Sequence, residues 1–188
     1  LRFKFEEFKA FNNHLADYIY KLQKEDKDGV NKSNKGGWHS KNFMLKDKNS
    51  IQFKFAMELQ KYISSAFQHY GWKTAKTDIR IKEMWAIINK KDDFNVAHTH
   101  PNCYLSSAYY VRAPKNCGKF LVENPNAAKN YFFPEIVNRN ELNTPIAELD
   151  ISEGDLLIFP GYLPHKVAKN DSDKDRIVIS FNVDVVNS

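Results

Sequence analysis

At about Thr77 the hydrophobic period of the chain changes, and the change separates two kinds of structure. Upstream, Phe8, Phe11, Leu15, Ile19 and Leu22 recur at spacings of three and four, so they share one face of a helix. Phe55, Leu59, Ile63 and Phe67 do the same within a second helix over Ile51–Tyr70, with Ser50 as its N-cap and Gly71 as its stop. The polar stretch Lys24–Gly37 between them holds Gly29, Gly36 and Gly37 and reads as a loop. Downstream, Ile79, Ile81, Met84, Trp85, Ile87 and Ile88 look strand-like. Short runs rich in β-branched and aromatic residues follow at Ser106–Val111, Lys119–Val122, Asp155–Phe159 and Arg176–Val186. Pro101, Pro114, Gly118, Pro125, Gly154, Pro160–Gly161 and Pro164 break them apart. Many short strands without intervening helices predict an antiparallel sandwich or barrel. The expectation is a mainly β, α+β chain forming one domain over 1–188, with a helical layer at 1–76 on a β core at 77–188.

Composition narrows the function classes. At 42% hydrophobic and 27% charged residues the chain is globular material, not a disordered tail. No run of about 18 apolar residues exists to cross a membrane as a helix. Cys103 and Cys117 are too few for a disulfide framework, and no apolar leader with a small-residue cleavage site opens the sequence; both point to a reducing, cytoplasmic setting. The net charge of +5 is uneven: residues 1–94 hold 19 Lys and Arg against 12 Asp and Glu, and residues 95–188 hold 9 against 11. The lysines are interleaved with acids, form no long run and accompany no nucleic-acid motif, so a nucleic-acid partner is not expected.

The chemistry lies in the β-rich half. His98 and His100 are two residues apart, and in a strand such residues point to one face, where two imidazoles can meet one metal. His165 follows Gly-Asp-Leu-Leu-Ile-Phe-Pro-Gly-Tyr-Leu-Pro, a turn, an apolar strand and a second turn. Eleven residues on, Arg176 opens the apolar strand Arg-Ile-Val-Ile-Ser-Phe-Asn, and an arginine there must reach solvent or be paired. Its planar fork suits bidentate capture of a carboxylate. The plainer reading has His165 capping a turn and Arg176 pairing with Asp173 or Asp175.

These pieces together resemble the Fe(II)/2-oxoglutarate-dependent oxygenase superfamily: His-Thr-His, then Ser-Ser-Ala-Tyr-Tyr-Val, then Gly-Asp-Leu-Leu-Ile-Phe-Pro with its histidine, then Arg-Ile-Val-Ile-Ser-Phe-Asn. Gly36–Ser40, Met84–Asn89 and Asn95–Pro101 are similar to a group of small oxygenases of marine bacteria and their phages, so the resemblance runs from about residue 36 to 184. It implies a double-stranded β-helix, a cupin-like jelly roll buttressed by helices, with Fe(II) and 2-oxoglutarate as cofactors. It implies His98 and His165 as metal ligands, with His100 where a carboxylate is usual. His100 as a third ligand, water or an anion in its place, and a carboxylate such as Asp93 are the three readings of that departure. Arg176 matches the residue that takes the far carboxylate of 2-oxoglutarate. Tyr110 matches a hydroxyl donor to the same group, a role that passes to Tyr109 if the register slips by one. Asn182 is a candidate for contact with cosubstrate or substrate, and Trp85 and Asn89 for the pocket mouth. His39 is a candidate for substrate contact or for fixing its loop, whereas His14 and His69 read as helix-surface residues.

The implied reaction is hydroxylation of a peptide or small-molecule substrate. Tyr131, Phe132, Phe133 and Pro134 lie in a long connection over Asn124–Asn143 that suits a lid. Two rivals stand beside this reading: a three-histidine cupin-type iron enzyme that does without 2-oxoglutarate and so without Arg176, and a non-catalytic jelly-roll binding module.

Overall fold

The computed structural model describes residues 1–43, 45–73, 77–126, 134–138, 140 and 143–187. Two helices carry the apolar stripes expected of them. Helix α1 (Phe8–Glu25) buries Leu15 and Ile19, and α2 (Ile51–His69) buries Phe55, Leu59, Ile63 and Phe67. The Ser50 hydroxyl accepts the Phe53 backbone N–H at 3.3 Å and caps α2. Gly71 follows its C-terminus at φ +68°, a left-handed conformation that favours glycine.

Eleven strands are found among the described residues: β1 (Arg2–Lys4), β2 (Asn34–Lys35), β3 (Trp38–His39), β4 (Thr77–Asn89), β5 (Phe94–His98), β6 (Leu105–Arg112), β7 (Phe120–Glu123), β8 (Ile146–Leu149), β9 (Asp155–Pro160), β10 (His165–Val167) and β11 (Arg176–Asn187). They form a six-stranded sheet in the order β1-β9-β6-β11-β4-β3 and a five-stranded sheet in the order β2-β5-β10-β7-β8, with antiparallel pairing throughout. This is the double-stranded β-helix buttressed by helices. The shortest strands, β1, β2, β3 and β10, carry no periodic signal of their own and exist because their partners do.

Alternation along the larger sheet sorts its residues into two layers. Ile177, Ile179 and Phe181 of β11, with Met84, Ala86 and Ile88 of β4 and Tyr109 of β6, join the helices in one core. Val178 of β11, Tyr110 of β6, Phe120 of β7 and Phe159 of β9 pack in a smaller core between the sheets. The other inward positions of β4 and β11, mostly polar or aromatic, line a cavity of about 710 Å³: Glu83, Trp85, Ile87 and Asn89, and Arg176, Ser180 and Asn182. No helix among the described residues is long and apolar enough to cross a membrane. The aromatics proposed for a lid, Tyr131, Phe132 and Phe133, lie outside the described residues.

Candidate active site

His98 ends β5 and His165 opens β10, and the two are directly paired across the smaller sheet. Strand alternation does not bring His100 to them, contrary to expectation, because β5 ends at His98. His100 lies in the following turn, where its backbone N–H donates to Gly161 O at 2.8 Å. Gly161 permits that approach: a Cβ there would lie 2.6 Å from both His100 O and Cys103 O. The ligand atoms of His98, His100 and His165 fall within 4.8 Å of one another.

The hydrogen bonds of two rings aim their ε nitrogens inward. His98 Nδ1 lies 2.8 Å from Val96 O and His165 Nδ1 lies 2.9 Å from Leu163 O, so each Nδ1 carries the proton and each Nε2 keeps its lone pair. His100 Nε2 and His165 Nε2 stand 3.3 Å apart. Burial, reinforced by His165 and His98, pushes His100 down to about 3, and burial pushes His165 down to about 4. Burial also holds His98 below the usual histidine value. The cluster is therefore neutral at ordinary pH, the state in which imidazole binds metal. Asp93, the alternative carboxylate, is not among the groups of this cluster; it accepts the Lys90 backbone N–H at 2.8 Å in the β4–β5 turn.

Arg176 is fully buried, and neither acid suggested for it is its partner. Asp173 pairs with Lys91 at 2.6 Å, and Asp175 accepts from the Tyr20 hydroxyl at 2.8 Å. Arg176 Nη1 donates to Cys117 O and, at 2.9 Å, to Ala168 O. Its Nε and Nη2 have no hydrogen-bond partner. Tyr110, two positions from Arg176 along the inner face by its pairing with Val178, is fully buried with an unpartnered hydroxyl that burial keeps protonated. Tyr109 points the other way and donates to Asn12 Oδ1 at 2.5 Å, so the register is the one that favours Tyr110. Asn89, read as part of the mouth, instead lies directly across from Arg176, is 1% exposed, and leaves its Nδ2 unpartnered.

Donors without acceptors, gathered in the cavity, fit an anionic guest. Each buried polar group left unsatisfied costs about 1–3 kcal/mol, and a charged one more. The residues thus fit both Fe(II), through three neutral imidazoles, and a carboxylate, through Arg176. His39 is buried, bonds through Nδ1 to Ser40 O at 2.7 Å and stacks on Trp85 at 5.9 Å in the cavity wall. His14 and His69 stay on the helices, away from the cavity.

Three histidines and a buried, partly unpartnered arginine gathered in one cavity of a jelly roll are the setting of a metal-dependent enzyme. The family described as "Putative 2OG-Fe(II) oxygenase" matches residues 83–182, and the chain belongs to it; its cofactors are Fe(II) and 2-oxoglutarate. No curated protein matches the chain in sequence. Among solved structures, a prolyl-4-hydroxylase of Pseudomonas putida is similar over 97% of this chain and 91% of its own, at 12% identity and a TM-score of 0.65. HygX of Streptomyces hygroscopicus, solved with nickel, 2-oxoglutarate and hygromycin B, matches over 98% and 82% at 12% identity and 0.64. The viral collagen prolyl hydroxylase of Paramecium Bursaria Chlorella virus-1, in its 2OG complex, matches over 97% and 94% at 12% identity and 0.62. At such identities the likeness speaks for the fold.

Proposed function

We propose that His98, His100 and His165 hold the iron, that Arg176 with Tyr110 and Asn89 takes the far carboxylate of 2-oxoglutarate, and that the chain hydroxylates a peptide or small-molecule substrate. The observation that carries this reading is the fully buried Arg176, whose Nε and Nη2 lack an acceptor. An enzyme using iron without 2-oxoglutarate leaves that buried charge unexplained.

Iron and 2-oxoglutarate, when bound, would supply an oxidation by O2 in which 2-oxoglutarate loses CO2, one oxygen atom enters the succinate formed and the other passes to the substrate. The chain's own contribution is placement. The Val96 and Leu163 carbonyls fix the tautomers and ring planes of His98 and His165. Cys117 O and Ala168 O hold one end of the guanidinium so that its remaining N–H groups face the cavity. Tyr110 and Asn89 add neutral donors beside it. The apolar walls Phe120, Val167 and Val178 exclude water, which strengthens the charge pairing at Arg176. Three imidazoles in place of two imidazoles and a carboxylate leave the metal one negative charge poorer, which favours anionic co-ligands.

The test is anaerobic titration of the Fe(II)-loaded protein with 2-oxoglutarate, followed by its weak visible charge-transfer absorption. Wild type is expected to saturate. Arg176→Ala is expected to need roughly 30-fold more 2-oxoglutarate or worse, the consequence of losing one partner of a buried charge pair. Iron binding without any such absorption sinks the 2-oxoglutarate reading.

A further inference from the structure

The cavity has a second polar corner, far from Arg176 and opposite in character. The inward positions of β11 run Arg176, Val178, Ser180, Asn182, so Asn182 stands about 20 Å from Arg176 along the strand. The histidines lie over its half of the sheet. The His100 ring is 5.7 Å from Trp85, whose register partner is Ser180, and 6.5 Å from Phe159, which pairs with Ser106. Ser106 is in turn the register partner of Asn182.

Asn182 is 7% exposed, and its Nδ2 donates to Glu83 Oε2 at 3.2 Å. That bond orients the amide and leaves Oδ1 as a buried acceptor without a donor. Ser106 beside it is fully buried with an unpartnered hydroxyl. Glu83 is the only acid in the cavity lining and takes part in no ion pair among the described residues. The lining lysines lie elsewhere: Lys41 is bound to Asp26 at 2.8 Å, and Lys32 is exposed at the rim near Asn34. A lone rim carboxylate is ordinary; a carboxylate that orients a buried, donor-less amide oxygen is a built acceptor site.

We propose that Glu83 and Asn182, backed by Ser106, form a substrate subsite that receives a protonated amine, held by the Glu83 carboxylate and the Asn182 carbonyl beside the metal ligands. This rests on the oxygenase reading, which assigns the Arg176 end to the cosubstrate and leaves this corner for the substrate. The proposal thus narrows the substrate to molecules that carry an amino group within a few bonds of the carbon to be oxidised.

The test uses the full chain loaded with Zn(II), a diamagnetic stand-in, with saturating 2-oxoglutarate. Two probes matched in length and opposite in charge, n-butylamine and butyrate, are titrated by ligand-observed NMR. Butylamine is expected to bind saturably and butyrate to bind at least tenfold more weakly. Glu83→Gln is expected to weaken butylamine about tenfold, and Asn182→Leu to weaken it as well. Affinity for 2-oxoglutarate, measured by calorimetry on the same samples, should not change in Glu83→Gln, which lies on the rim and does not endanger folding. Butylamine that fails to bind, that binds no better than butyrate, or that ignores Glu83→Gln overturns the subsite. Failure of 2-oxoglutarate to bind wild type overturns the oxygenase reading instead, so the two failures read out separately.

Discussion

Asp155 shows how a single charge is used for structure away from the site. Its carboxylate is almost fully buried and accepts from Arg2 at 2.7 Å, from the Ser152 backbone N–H at 2.7 Å and hydroxyl at 3.0 Å, and from Lys4 at 3.3 Å. Burial alone raises its pKa, but these donors outweigh it and hold the carboxyl below the usual range. A depressed folded value means that the stabilisation is present above the unfolded value of about 3.9 and is lost as pH falls through the folded one. Asp155→Asn is expected to cost about 1–3 kcal/mol at pH 7. In urea titrations its gap to wild type should narrow steadily once pH drops below about 4; a gap independent of pH refutes the ionic account. Tyr110 is the converse case, a donor held for a guest. Tyr110→Phe removes the orphaned hydroxyl without opening space, so it should leave stability unchanged or slightly raised while weakening 2-oxoglutarate roughly tenfold, as calorimetry would show.

At the scale of elements, α2 couples the helical layer to the larger sheet. Phe55 meets Tyr109 at 4.7 Å, Phe5 at 5.4 Å and Phe11 at 6.2 Å, so one side chain joins α2, α1, β6 and the residue after β1. Phe55→Ala is expected to cost about 3–5 kcal/mol in chemical denaturation. Metal affinity of the remaining folded protein should stay the same, because His98 and His165 belong to the smaller sheet and His100 follows β5. Both helices were legible because their apolar stripes repeat over 18 and 19 residues and α2 carries its own cap. The long strands β6, β9 and β11 were legible for the same reason of length. β2 and β3 were not: Trp38 pairs with Ile88 and Asn34 with Asn95 across some 50 to 60 residues, and two-residue strands hold no period. His98, His165 and Arg176 could be picked out because their residue types are costly in an apolar strand region. Glu83 was passed over and Asn89 was placed at the pocket mouth rather than across from Arg176, although both share one face of β4 with Trp85 and Ile87, because what marks them is an absent or unusual partner. The spacing of His98 and His100 gave the right neighbours for the wrong reason, since a turn held by Gly161 brings the second ring in.

At the scale of the molecule the two layers divide the work. The face of the larger sheet under the helices is apolar and supplies cohesion, and the inner face gives up apolar burial to hold an unpaired guanidinium and several orphaned polar groups. A buried charge without a counter-ion is a standing cost, offset only when a ligand supplies one. Replacing Arg176 with methionine, which keeps much of the volume without the charge, should therefore separate stability from function. Metal-loaded Arg176→Met without 2-oxoglutarate is expected to melt at or above wild type. Adding 2-oxoglutarate at about a hundred times the wild-type dissociation constant should stabilise wild type by about 2.7 kcal/mol and the variant by less than about 1 kcal/mol. Thermal melts of both proteins with and without 2-oxoglutarate decide the matter. A variant that is less stable than wild type before any ligand is added means that the Cys117 and Ala168 carbonyls already repay the burial of the charge, and that Arg176 is structural in the first place.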